Sequence, residues 1–272
     1  MTSLRLGAIL VGLGLGLVLL GLIWLPAPPT ALGPVRFSPP SLRHPLGTDW
    51  FGRDTLSRVM VGGRVSWAVA AIAVGVGGTV GILLGAVAGH TGGIVGEALM
   101  RVPDLLLAFP AVLVALLLAT VLGPGLLGVT LAIALFTLPY FARLTHSSVL
   151  ALREEEFVVA ARAAGCSAGR IVLRHILPNL SSPLLVQASV SLGSAFLAEA
   201  ALSYLGLGIQ PPDPAWGRML REAQTYVGHS PWPAVFPGLI LGLTVLGLNL
   251  LGDGLRDLAD PLTRRLIPWR RS

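Results

Sequence analysis

Six stretches of this sequence are apolar over about the length a helix needs to cross a lipid bilayer: Leu6–Leu25, Val65–Gly89, Val102–Leu122, Leu126–Phe141, Leu184–Leu207 and Val235–Leu251. The first runs for 20 residues without a charge, about 30 Å as a helix, which matches the hydrocarbon core. A backbone inside lipid must satisfy its own hydrogen bonds, so runs of this kind are expected to be helices. The predicted fold class is therefore an all-α membrane protein of about six transmembrane helices. Charged residues are 12% of the chain, roughly half the share of a soluble domain, so much of the surface is expected to face something other than water. Arg5 before the first run also suits a cleaved signal peptide, but Trp24 with Pro26, Pro28 and Pro29 reads as an interfacial exit from a retained helix.

All 19 basic residues are arginine. Without lysine there can be no GxxxxGK[ST] phosphate loop, no Schiff base and no Ser-Lys dyad. If ATP drives this protein, another chain hydrolyses it. The net charge of +6 is spread between apolar runs instead of being gathered into a stripe with aromatics, so nucleic acid is not an expected partner. Cys166 is alone, and the five histidines show no metal-ligand spacing. Gly165–Gly169 matches GxSxG formally, but a helical pattern precedes it where a nucleophile elbow needs a strand. No catalytic residue, metal or cofactor is expected in this chain.

With six spans both termini share one side. Placing the N-terminus in the cytoplasm puts 12 arginines in inner segments and 7 in outer ones, which supports cytoplasmic termini. In the second run Gly77, Gly81, Gly85 and Gly89 recur every fourth residue. They line one face of a helix with no side chains, and a neighbouring backbone can approach closely there. Glu199 lies within the fifth run and Gln187 is 12 residues earlier. Membrane-depth polar groups usually face a cavity or a partner, so both are candidate pathway or interface residues. Asp104 is expected to pair with Arg101 at i,i+3.

The segment 145–179 between the fourth and fifth runs is inner and reads EEEFVVAARAAGCSAGRIVLRHILPN from Glu154. Acidic residues suit a helix start, alanines favour its body, and Gly165 fits a left-handed stop. Ser167 can cap a second helix running to Pro178. A short helix of small apolar residues in water calls for a cover. Either a groove on a soluble partner provides it, or the ends of the chain's own spans do.

This segment resembles the EAA loop of binding-protein-dependent ABC importer permeases, whose EAA…G…I.LP pattern marks the helix that docks on the ATPase. Ala160, Ala161, Gly165, Ile176, Leu177 and Pro178 stand in the matching positions, while Val159 replaces the eponymous glutamate. The resemblance extends to the dipeptide/oligopeptide and nickel branch, in its second-permease type. It is carried by HPLGTDWFGRDTLSRV (His44–Val59), RVPDLLLAFP (Arg101–Pro110), YFARLTHSSVL (Tyr140–Leu150), EAALSYLGLGIQPPDPAWGRML (Glu199–Leu220) and NLLGDGLRDLADP (Asn249–Pro261).

The resemblance implies a MetI-like permease fold in a prokaryotic inner membrane, with a cytoplasmic two-helix coupling loop. It implies a second homologous permease, two cytoplasmic ABC ATPases and an extracytoplasmic solute-binding protein as partners. The ATPase-coupling residues would be Glu156, Phe157, Ala160, Ala161, Ala164, Gly165, Ile176, Leu177 and Pro178. The chain would divide into residues 1–64, a first helix with an outer segment; 65–262, the permease domain; and 263–272, a basic tail. A gradient-driven transporter acting alone, or an intramembrane hydrolase, are the competing readings. The first lacks matching broken halves and the second lacks a nucleophile with its base.

Overall fold

The computed structural model describes residues 2–259; the basic tail 263–272 lies outside them. Ten α-helices account for most of the described chain. Five are long and apolar enough to span a bilayer, and a bent pair makes a sixth candidate span. α1 (Thr2–Ile23) lies along α10 (Trp232–Ala259), and α2 (Thr55–Thr91) along α5 (Leu126–Leu152).

The α2–α5 contact explains the glycine register. A Cβ on Gly77 would sit 2.3 Å from the carbonyl oxygen of Ala134, one on Gly81 2.5 Å from that of Leu138, one on Gly85 2.3 Å from that of Ala142, and one on Gly89 3.0 Å from that of His146. The partner carbonyls also recur every fourth residue, so two helices meet backbone to backbone along four turns. Close packing of this kind replaces the hydrophobic drive that lipid cannot supply. The α1–α10 pair uses the same device: Gly7 abuts the Gly247 and Leu251 backbone, and Gly254 abuts that of Leu4.

The third apolar run is not one straight helix. α3 (Gly93–Ala108) and α4 (Ala111–Leu122) meet at 90°. Pro110 is the cause, because its ring disfavours helical geometry at the preceding residue; Phe109 accordingly takes φ −97°, ψ 136°. At 37 residues α2 is about 55 Å long, well beyond the hydrocarbon thickness. Its first turns, with Arg58 and Arg64, are continuous with the apolar run that begins at Val65.

The second helix of the elbow does not stop at Pro178. α7 (Ala168–Ile171) continues through a π turn at Val172–Ile176 and a 3-10 turn at Leu177–Leu180 into α8 (Ser181–Tyr204). Proline offers no N–H and clashes with the carbonyl four residues back. A wide turn followed by a tight one lets the helix pass the obstacle. The bundle thus has two ends. One holds residues 24–54, α9 (Trp216–Gln224) and the turn in which the Gly125 amide donates to the Leu207 carbonyl. The other holds Gly92 close to Arg153 and the elbow 153–167.

Candidate functional site

The elbow is built from local rules. α6 (Glu156–Ala163) starts at Glu155, whose carbonyl accepts from the Val158 and Val159 amides at 2.9 and 3.0 Å. It stops in a Schellman motif: the Cys166 amide donates to the Ala161 carbonyl at 3.1 Å and the Gly165 amide to the Arg162 carbonyl at 3.0 Å. Gly165 has φ +79°, a backbone region open to glycine at little cost. Ser167 stands at the start of α7 as expected, but its side chain makes no cap hydrogen bond.

One face of α6 is anchored. Val158 is buried with Val149, Ile171, Ile176 and Leu180, and Ala161, Cys166 and Leu177 pack around them. This separate small core ties α6 to the end of α5 and to the helix leading into α8. Ile176 is therefore interior, with no surface to offer a partner. The other face is open: Phe157 is 40% and Val159 49% exposed, and Glu156, Ala160, Ala164 and Pro178 are exposed too.

Glu199 and Gln187, paired by the sequence reading, part company. Gln187 is half-buried, donates to Ser191 Oγ at 3.0 Å, and lines a cavity of about 500 Å³ between α4, α5 and α8. That cavity is mostly apolar, with Thr137, Tyr140, Ser191 and Ser194 as its other polar groups. Glu199 faces away from it, 1% exposed, five residues before the end of α8. Its two carboxylate oxygens accept from Ser66 Oγ on α2 at 2.8 Å and from Ser203 Oγ at 2.7 Å. The hydroxyl on α2 makes this carboxylate a tie between helices of one chain.

Replacing Glu199 with alanine should cost about 1–3 kcal/mol, since both hydroxyls lose their acceptor in a buried site. Glutamine, with one acceptor and one donor, should cost less than half of that. Apparent unfolding midpoints in lipid nanodiscs measure the difference; equal midpoints for alanine and wild type would remove the tie.

Asp104 pairs with Arg143 of α5 at 2.6 Å and not with Arg101, both groups being about half exposed. The bundle brings α5 alongside α3, and a residue across helices outcompetes the i+3 neighbour. At the opposite end Arg53 and Arg58 both donate to Glu222 at 2.9 Å, Arg218 donates to Glu222 at 2.9 Å, and Arg53 donates to Asp49 at 2.6 Å. This buried cluster fastens residues 24–54 to α9 and was missed in the sequence. Its local signs were the i,i+4 spacings of Asp49 with Arg53 and of Arg218 with Glu222.

Residues 81–265 match the model of the family described as binding-protein-dependent transport system inner membrane component. The chain is 45% identical over 226 residues to the dipeptide transport system permease protein DppC of Alkalihalophilus pseudofirmus, covering 83% of this chain and 74% of that one. It is 49% identical over 222 residues to the glutathione transport system permease protein GsiD of Shigella flexneri, covering 82% and 73%. Among solved structures, an inward-facing MetNI methionine ABC transporter in its native crystal form superposes with a TM-score of 0.60 at 17% identity, covering 73% of this chain and 94% of that one; this likeness concerns the fold. An all-helical bundle with a bent span, a sequence match over most of its length and relatives approaching half identity lead to one assignment: the chain belongs to the binding-protein-dependent transport system inner membrane components, multi-pass permease subunits of ABC importers, in the branch that holds DppC and GsiD.

Proposed function

We propose that this chain forms half of the translocation pathway for short peptides or a related small solute such as glutathione. A second homologous permease would form the other half. Two cytoplasmic ABC ATPases would supply the energy and hydrolyse the ATP, and an extracytoplasmic binding protein would deliver the solute. Both termini and the elbow 145–179 would lie in the cytoplasm, with residues 1–64 as an appended helix and outer segment and 65–262 as the permease proper. The names of the relatives support the solute class.

The observation that carries the coupling role is the two-sided nature of α6. One face is locked by Val158 into a core shared with α5 and α7, and the other presents Phe157, Val159, Ala160 and Ala164 to the surroundings. A helix built this way can receive a push through its open face and pass it to the membrane through its anchored one. Gln187 is one of five polar groups on the wall of the α4–α5–α8 cavity and in this reading would meet solute there.

The test is a cysteine at Ala160 in a Cys166→Ser background, probed by crosslinking in intact membranes. Adducts with a nucleotide-hydrolysing subunit support the reading. Transport by the isolated chain, with no such adduct, would overturn it in favour of a gradient-driven carrier. The elbow can be tested separately. A Cβ at Gly165 meets nothing within 4 Å, so Gly165→Leu should act through the backbone alone, at about 1–2 kcal/mol. Uptake is expected to fall several-fold with normal membrane abundance, and Gly165→Asn, which tolerates positive φ, should retain most of it. Equal uptake in all three proteins would refute a rigid elbow.

A further inference from the structure

Where residues 24–54 meet α9 and the start of α10, a cavity of about 20 Å³ is lined by Asp49, Thr55, Arg58, Glu222 and Ser230, with Phe37, Trp50 and Tyr226 over it. Three side-chain atoms of its wall are buried without a hydrogen-bond partner among the described residues: Arg58 Nη1, Thr55 Oγ1 and Ser230 Oγ. The three residues are 1%, 1% and 4% exposed. Buried polar atoms almost always find a partner, so three orphans around one small space point to an occupant.

The occupant must accept hydrogen bonds. Arg58 Nη1 can only donate, and both hydroxyls are free to donate. The acceptors nearby are already engaged. Asp49 Oδ1 takes the Phe51 and Arg53 amides, and its Oδ2 takes Arg53 Nε. Glu222 Oε1 takes Arg218 Nε, and its Oε2 takes Arg53 Nη2 and Arg58 Nη2. Asp54 is spent on His44 and on the Ser57 amide and hydroxyl.

The charge count has the same sign. Within the ion-paired cluster three guanidinium groups (Arg53, Arg58, Arg218) share two carboxylates (Asp49, Glu222), which leaves one positive charge over. Asp54 stands outside that cluster, paired with His44 and capping α2. Thr55 is the first residue of the 37-residue α2, and Ser230 stands two residues before the 28-residue α10. Both walls are thus at the positive ends of long helices. The stacked rings of Trp50 and Tyr226, 5.2 Å apart, and the tilted ring of Phe37, 5.6 Å from Tyr226, line the same space. About 20 Å³ admits one water-sized or halide-sized particle and not a tetrahedral oxyanion.

We propose that this cavity binds a monovalent inorganic anion, chloride or a similar halide, held by Arg58, Thr55 and Ser230. It neutralises the surplus guanidinium and joins the start of α2 to the α9–α10 turn. The site does not depend on which solute the permease carries or on what α6 touches.

The test is an unfolding midpoint measured on the chain, with whatever subunits co-purify, in lipid nanodiscs. Sodium chloride is exchanged for sodium gluconate at constant ionic strength, so that screening of surface charges stays equal. A saturable rise of about 5 °C is expected, from linkage to a ligand that binds the folded state alone, and bromide should reproduce it. Ser230→Ala and Thr55→Val should each keep the gluconate midpoint and lose most of the response. Equal midpoints in chloride and gluconate would mean that the cavity holds water. A response that survives in both variants would mean that the anion binds elsewhere. Either outcome overturns the assignment.

Discussion

Replacing Gly85 with leucine should remove most of the folded protein from the membrane. A Cβ there would lie 2.3 Å from the Ala142 carbonyl oxygen and 3.0 Å from the His146 amide nitrogen. Both are backbone atoms of a 27-residue helix, with no rotamer through which to yield. Overpacking usually costs about 1–3 kcal/mol when side chains can shift. Here α2 and α5 must separate, which undoes their contact across four turns, so the expected cost is at or above that range. Gly75 is the control: it lies on the same helix, nothing stands within 4 Å of its Cβ position, and Gly75→Leu should leave abundance unchanged. The measurement is the monodisperse fraction after detergent extraction. Comparable fractions for the two variants would contradict backbone-to-backbone packing.

The second large effect is expected on the open face of α6. Ala160 is exposed, so Ala160→Asp should leave the unfolding midpoint within about 0.5 kcal/mol of wild type in stability terms. If this face is seated in an ATPase groove, the carboxylate is buried there without a partner. An unpaired charge in an interface costs about 2–5 kcal/mol, more than tenfold in association. ATP-dependent uptake should fall at least that far, with loss of co-purifying ATPase. Glu154→Gln, a change in an exposed side chain already paired with Arg153 at 3.0 Å, should have little effect. Normal uptake by Ala160→Asp would leave α6 without a coupling role, whatever the family of the chain.

Both expectations were visible in the sequence to different degrees. The four-residue glycine register demanded a close neighbour, because no other property of a helix face repeats at that interval without side chains. It did not name the neighbour, and the matching carbonyls of Ala134, Leu138, Ala142 and His146 carry no sequence signature at all. In the elbow the helix start at the acids and the left-handed stop at Gly165 were legible. These are local effects acting over four or five residues. The division of α6 into a buried and an open face was not, since Val158 and Val159 read alike and only packing buries the first. The continuation through Pro178 was not legible, since a proline ends a helix by local rules and is tolerated when a packed core holds both sides.

Polar residues inside the bundle were the least readable. Glu199 and Gln187 share a helix, but the 12 residues between them turn it by about 120° past three full turns. They therefore face different surroundings: one is a tie to Ser66 and the other lines a cavity, and nothing local says which is which. Asp104 had Arg101 within reach in sequence and Arg143 in space. The cluster of Asp49, Arg53, Arg58, Arg218 and Glu222 joins two halves more than 160 residues apart, and no periodicity connects one half to the other.

Hydropathy runs, missing lysines and a helix-stop glycine came from the chain alone, because transfer from water, side-chain chemistry and backbone sterics are properties of a residue and its near neighbours. Which helix meets which, where the third span breaks its direction, and which charge neutralises which were settled only by assembly. Those outcomes turn on distances between segments far apart in the chain, where the same arginine is costly without a partner and structural beside one.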